Sequence, residues 1–308
     1  MEAEKKKETL TQAIKKDSSY YLMILPALIF TLIFCYIPML GIAMSFKDYD
    51  FVKGFWNSEW VGMKHFIEIF HIPMLQKAVL NTVYLNLLSL VICFTLPIVF
   101  ALLINEVKNG IYKKTLQTVS YLPHFLSWIS VVAMAYSIYA IDGPINHLRA
   151  VLFGIPWEER TMYMSLQSFF VPNYIFLSAW KEMGWDSIIY IAAISGIDQQ
   201  LYEAARIDGA SKLKQAWYIT LPGIAPTIVI LLILKFGSMF ASNFELVYGM
   251  QNAYVEYDVI STLVYKNGIR DGQYSLATAI NLFQSLISLA LIFIANKISD
   301  KVNNVSLW

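Results

Sequence analysis

The stretch Glu203-Ala204-Ala205-Arg206-Ile207-Asp208-Gly209-Ala210, followed after eleven residues by Pro222 and then Pro226, lies between two long apolar segments. Residues 199 to 207 read as a short helix, ended by Gly209, which takes the positive φ of a helix stop at no side-chain cost. Residues 211 to 219 read as a second short helix, which Leu221-Pro222 turns into the next apolar segment. Paired alanines beside one carboxylate let another protein approach the backbone closely, as a docking helix in a partner's groove requires. The same residues also suit an ordinary solvated loop of good helix formers, so local physics leaves both readings open.

The segments on either side decide the class. Of 308 residues 57% are hydrophobic and 15% charged, whereas a soluble domain carries about 25% charged residues. Tyr21 to Phe46 contains no charge and spans about 39 Å as a helix, enough to cross a bilayer. It is too long for a signal peptide and lacks a small-residue cleavage site, so it reads as a retained span, kinked at Pro26 and Pro38. Six spans are expected, over about 21–46, 79–104, 115–140, 168–196, 222–243 and 275–296. The expected fold is therefore an all-α membrane protein with one domain over 21–297 and short tails at 1–20 and 298–308. The first tail reads as disordered or as a surface helix.

An even number of spans puts both termini on one side, and Lys/Arg placement chooses it. Thirteen fall on the face of the termini: Lys5, Lys6, Lys7, Lys15, Lys16, Lys108, Lys113, Lys114, Arg206, Lys212, Lys214, Lys297 and Lys301. The opposite loops carry eight. Both termini and the connector 198–222 are thus expected in the cytoplasm of a multi-pass plasma-membrane protein. Net charge is +1, which gives no indication of nucleic acid as a partner.

Glu-Ala-Ala, three residues, Gly, then Leu-Pro after a further eleven resembles the signature loop of binding-protein-dependent ABC importer permeases. Asn105-Glu106-Val107, Gln117 to Phe125 and Trp180-Lys181-Glu182-Met183-Gly184-Trp185 resemble the branch handling oligosaccharides or polysaccharide fragments. The resemblance covers about residues 20 to 297. It implies a bacterial type I importer fold of six spans, with cytosolic coupling helices that dock on a separate ATPase. By that resemblance Glu203 anchors the loop, Ala204 and Ala205 pack closely, and Asp208, Gly209 and Ala210 form the turn. Leu221 and Pro222 lead into the next span. The aromatic common seven residues after the glycine is here Ala216, which shifts ring contact to Trp217. The implied partners are a second homologous permease, an ATPase dimer carrying ATP and magnesium, an extracytoplasmic substrate-binding protein, and lipid. No cofactor or metal is expected on this chain.

Charges at membrane depth cost several kcal/mol unless they find partners, which singles out Lys181, Glu182, Asp186 and Lys235. One reading is a polar cavity where Lys181, or a carboxylate, bonds sugar hydroxyls while Trp180 or Trp185 stacks on a ring. The other is that these groups pair with each other or with a second permease subunit, or sit nearer an interface. Asn243, Phe244, Glu245 and Tyr248 form a second polar-aromatic patch, suited to carbohydrate or to an interfacial aromatic belt. The four histidines have no metal spacing, and Cys35 and Cys93 lie in apolar runs as small hydrophobes.

No Gly-rich phosphate loop ending in Gly-Lys-Ser/Thr occurs, so this chain is expected to hydrolyse no ATP itself. An ion-coupled transporter using Glu182, Asp186 and Glu245 is the alternative, but it leaves the signature loop unexplained. A membrane enzyme would need a converging catalytic constellation, and none has diagnostic spacing.

Overall fold

A computed structural model describes residues 17–108 and 110–303. Most of the expected N-terminal tail, and part of the C-terminal one, lie outside the described residues.

The first apolar run forms helix α1 (Ser18–Thr31), with Pro26 inside it. It continues through a π-helical turn, Leu32–Tyr36, into a 3-10 segment, Ile37–Phe46, that opens on Pro38. Every residue from 18 to 40 is exposed. Lys47–Asp48 (β1) pairs antiparallel with Glu59–Trp60 (β2) in the loop that follows, and α2 (Lys64–Ile69) packs below it.

The second span is α3 (Pro73–Cys93) continuing as α4 (Thr95–Glu106). It starts ahead of the expected residue 79, because Pro73 is suited to a first helical turn, where no N–H donor is needed. The expected span over 115–140 is not one straight helix. Helix α5 (Gly110–Tyr121) runs into a 3-10 turn, Leu122–Phe125, and α6 (Trp128–Ile138) leaves at 99° to that segment. Pro123 tightens the turn, Leu126 and Ser127 are extended, and Ser127 Oγ accepts the Ser130 N–H at 3.1 Å to start α6.

After α7 (Pro144–Phe153), helix α8 (Phe170–Ser195) threads the centre of the molecule and buries residues along its whole length. Gly184 permits this helix to lie against α5, since a Cβ there would strike the Ser120 carbonyl group.

Helices α9 (Gln199–Ile207) and α10 (Lys212–Gln215) occupy the connector. The expected turn at Leu221-Pro222 is not a break. A π-helical turn, Ala216–Thr220, joins α10 to α11 (Leu221–Gly237), giving one helix of 26 residues from Lys212 to Gly237. Leu221 N–H reaches back to the Ala216 carbonyl. The wide turn thus absorbs Pro222, which has no N–H to donate. The fifth span also stops earlier than expected, at Gly237 rather than 243. Residues 238–243 are non-helical, and α12 (Phe244–Met250) begins beyond them. Helix α13 (Ile260–Tyr265) and the long α14 (Tyr274–Asn303) complete the chain.

Among the described residues four helices are individually long and apolar enough to cross a membrane, and the bent α5–α6 pair makes up to five. Helix α8, 26 residues long, is the sixth of crossing length, its hydropathy lowered by Lys181, Glu182 and Asp186. Buried apolar clusters tie these elements together. Val131, Tyr174, Leu246 and Met250 join α6, α8 and α12, while Ile98, Tyr190, Ile194 and Ile224 join α4, α8 and α11. Ile69, Ala78, Leu263 and Ile280 join the first loop, α3, α13 and α14.

Candidate functional site

The connector is built by caps. Asp198 Oδ1 accepts the Gln200 N–H at 2.9 Å to open α9. At its end Gly209 has φ +73°. Ala210 N–H then bonds the Ala205 carbonyl at 2.8 Å and Gly209 N–H the Arg206 carbonyl at 3.1 Å, the paired bonds of a left-handed helix stop. Ser211 Oγ caps α10, accepting the Lys214 N–H at 3.4 Å.

Three buried polar side chains brace this pair of helices. The Tyr202 and Thr220 hydroxyls share a bond at 2.9 Å, and Gln215 Nε2 donates to the Ala210 carbonyl at 2.8 Å. Lys212 Nζ also sits 2.8 Å from Glu106, fastening the connector to the end of α4. The outer surface, by contrast, is open. Glu203, Ala204, Asp208, Gly209 and Pro222 are exposed, and Ala205, Ala210 and Leu221 half-buried. Ile207 (87% exposed), Leu213 (80%), Tyr218 (74%) and Trp217 (66%) project as apolar knobs from a fixed scaffold. Sequence reasoning singled out only Trp217 among these four. Ile207 and Leu213 are apolar residues between charged ones in a connector, a pattern that marks a docking face, whereas Tyr218, between Trp217 and Ile219, carries no such signal.

The second arrangement lies at membrane depth. A cleft of about 190 Å³ opens between α3, α6, α8 and the non-helical segment after α11, lined by Asn86, Trp128, Glu182, Asp186, Lys235 and Asn243 among others. A second lobe, about 210 Å³, shares Cys93, Asp186 and Lys235. Both interrupted spans meet here, since Trp128 follows the 126–127 break and Ser238 to Asn243 form the other. Irregular backbone is tolerated at such depth only where protein or a watery cavity surrounds it. Asn86 supplies part of that surround, its Nδ2 donating to the Met239 carbonyl at 2.9 Å.

One wall is a closed polar network. Lys181 is only 4% exposed. Its Nζ donates to the His124 carbonyl at 2.8 Å and to Glu182 Oε1 at 3.1 Å, and lies 4.7 Å from the centre of the Trp128 ring. Glu182 Oε2 meets His124 Nδ1 at 2.6 Å, and Trp185 stacks on that imidazole at 4.2 Å. Lys181 is thus held by its own neighbours, which is the pairing that the second of the two readings describes. Trp185 has one face taken by His124, and neither Trp180 nor Trp185 lines the cleft. Glu182 and Asn243 do line it. Phe244 and Tyr248 stack at 5.3 Å and pack on Tyr265, forming an aromatic cluster of their own, while Glu245 is exposed in the first turn of α12. The polar and aromatic residues of the cleft that sequence reasoning missed are Asn86, Ser89, Trp128, Tyr174, Ser178 and Ser238.

Residues 93–302 match the family described as binding-protein-dependent transport system inner membrane component. The chain is 42% identical to the polygalacturonan/rhamnogalacturonan transport system permease protein YteP of Bacillus subtilis, over 99% of this chain and 94% of that one. It is 28% identical to the sn-glycerol-3-phosphate transport system permease protein UgpA of Escherichia coli, over 89% and 90%. A bacterial alginate ABC transporter solved in complex with an alginate pentasaccharide-bound periplasmic protein contains a chain of the same fold. Its TM-score is 0.84 at 35% identity, covering 97% of this chain and 100% of that one.

Proposed function

Because this chain belongs to the binding-protein-dependent transport system inner membrane components, we propose that it forms one half of the pathway of an ATP-driven importer for an acidic-sugar oligomer. It is a transport subunit rather than an enzyme. The cargo class follows the relatives whose names carry polygalacturonan and alginate. The observation that carries the mechanism is the connector: apolar knobs on a capped and braced scaffold, at one end of an unbroken helix whose other end borders the cleft.

In this reading loop 198–222 and both termini face the cytosol, and Ile207, Leu213, Trp217 and Tyr218 seat in a groove of an ATPase dimer. ATP and magnesium reside on that dimer. Its closure displaces α9 and α10, and α11 carries the displacement to the cleft. A second permease chain completes the cavity, which receives cargo from the substrate-binding protein on the opposite face. An ion-coupled mechanism is disfavoured by the Glu182 carboxylate, which is committed to Lys181 and His124.

Glu203→Lys in the reconstituted assembly is expected to leave insertion and subunit recovery intact while abolishing binding-protein-dependent uptake, and Gly209→Asp to do the same. Wild-type uptake by both variants would refute the coupling role of this loop.

A further inference from the structure

Two opposite charges face the cleft, and no hydrogen bond or ion pair holds either side chain. Among the described residues the Lys235 ammonium and the Asp186 carboxyl line both lobes, and they lie within electrostatic reach of each other without a direct contact. The contrast with the adjoining wall is sharp, because Lys181 and Glu182 neutralise one another there within 3.1 Å. A free ammonium and a free carboxylate at this depth are costly unless they border a watery cavity or meet a ligand. Lys235 offers three donors and no acceptor, and an ionised Asp186 offers acceptors only. The ligand that satisfies both brings an anionic group for the first and hydroxyl donors for the second, on one small ring.

We propose that the cleft between Asp186 and Lys235 is a cargo subsite for a uronate residue, with the Lys235 ammonium bonding the sugar carboxylate and Asp186 accepting from its hydroxyls. The proposal rests on the importer reading above and deepens it to two residues. Trp128 on the neighbouring wall already holds Lys181 against its ring, so the selection proposed for this subsite is by charge and hydroxyl pairing. A neutral sugar would give Lys235 only hydroxyl oxygens. A carboxylate adds an opposite charge to that bond, giving a shorter and stronger N–H···O contact between ions.

The test uses the complete assembly in proteoliposomes, with trigalacturonate and its methyl ester as probes, and wild type, Lys235→Met and Lys235→Arg compared. Wild type is expected to import trigalacturonate. Lys235→Met should lower that uptake by about tenfold or more, as loss of a bond to a charged group predicts, and Lys235→Arg should restore most of it. Binding-protein-stimulated ATP hydrolysis should persist in all three, which shows that the methionine variant folds and assembles. Undiminished trigalacturonate uptake by Lys235→Met overturns the proposal, and so does an equal loss for acid and ester. Wild-type uptake of the ester or of a neutral oligosaccharide, without uptake of the acid, also overturns it and leaves the importer reading standing. Absence of any sugar uptake by wild type defeats both.

Discussion

The connector 198–222 and the membrane cleft are both polar interruptions of an apolar chain, but they are assembled in opposite ways. Among the described residues, the side-chain bonds that shape the connector join residues within 198–222, apart from Lys212 to Glu106. Every wall of the cleft comes from a different part of the chain, with Asn86, Trp128, Glu182 and Lys235 on separate helices. A locally capped motif holds its shape while a partner pushes on it. A cavity assembled from distant helices can change shape when those helices shift, which an alternating pathway needs.

The comparison can be broken most forcefully at Glu182. Truncating it by Glu182→Ala leaves Lys181 buried with only a backbone carbonyl and an aromatic face, and removing one partner of a buried pair costs about 3 kcal/mol or more. The detergent-solubilised protein should lose thermal stability markedly, and the double variant Lys181→Met/Glu182→Ala should recover part of the loss. In the connector, Tyr202→Phe removes one shared hydroxyl bond, worth about 1 kcal/mol. Amide exchange across Gln199–Ile207 should quicken while melting of the whole protein barely moves. If it destabilises the fold as much as the Glu182 change does, the connector is not the autonomous unit described here.

The smallest effect lies outside both regions. Lys64 Nζ bonds Asp48 at 3.0 Å beside the small hairpin, and that bond holds the Asp48 carboxyl below its ordinary value. A lowered folded value means the contribution is present above the unfolded carboxylate pKa, near 3.9, and fades as pH falls through the folded value. Both side chains are more than half exposed, so salt screens the pair. Asp48→Asn should therefore change stability only slightly at neutral pH, and the difference from wild type should vanish in acid.

This division also explains what could be read from the sequence. Charge-free runs announced the membrane class, and Gly209 announced the end of the first short helix, because a helix stop acts on neighbours within a few residues. The four knobs were only partly legible, since exposure depends on which face Tyr202, Gln215 and Thr220 pull inward. The cleft was harder. Average hydropathy does not register a right-angle bend at Leu126-Ser127, nor the loss of helix after Gly237, when the residues stay apolar or small. Lys181 and Lys235 look equivalent as letters in apolar runs. Only the fold reveals that His124, 57 residues away, occupies the first, whereas the second is left unbonded.

The unbroken helix from Lys212 to Gly237 has a mechanical corollary. Lys212 and Lys235 are 23 residues apart on it, about 35 Å at the helical rise. On the reading proposed above, a stroke delivered at the Lys212 end would travel to the ammonium along one continuous helix. Cargo grip and motor position would then be two readings of a single piston, and a glycine pair inserted midway would make the engine idle.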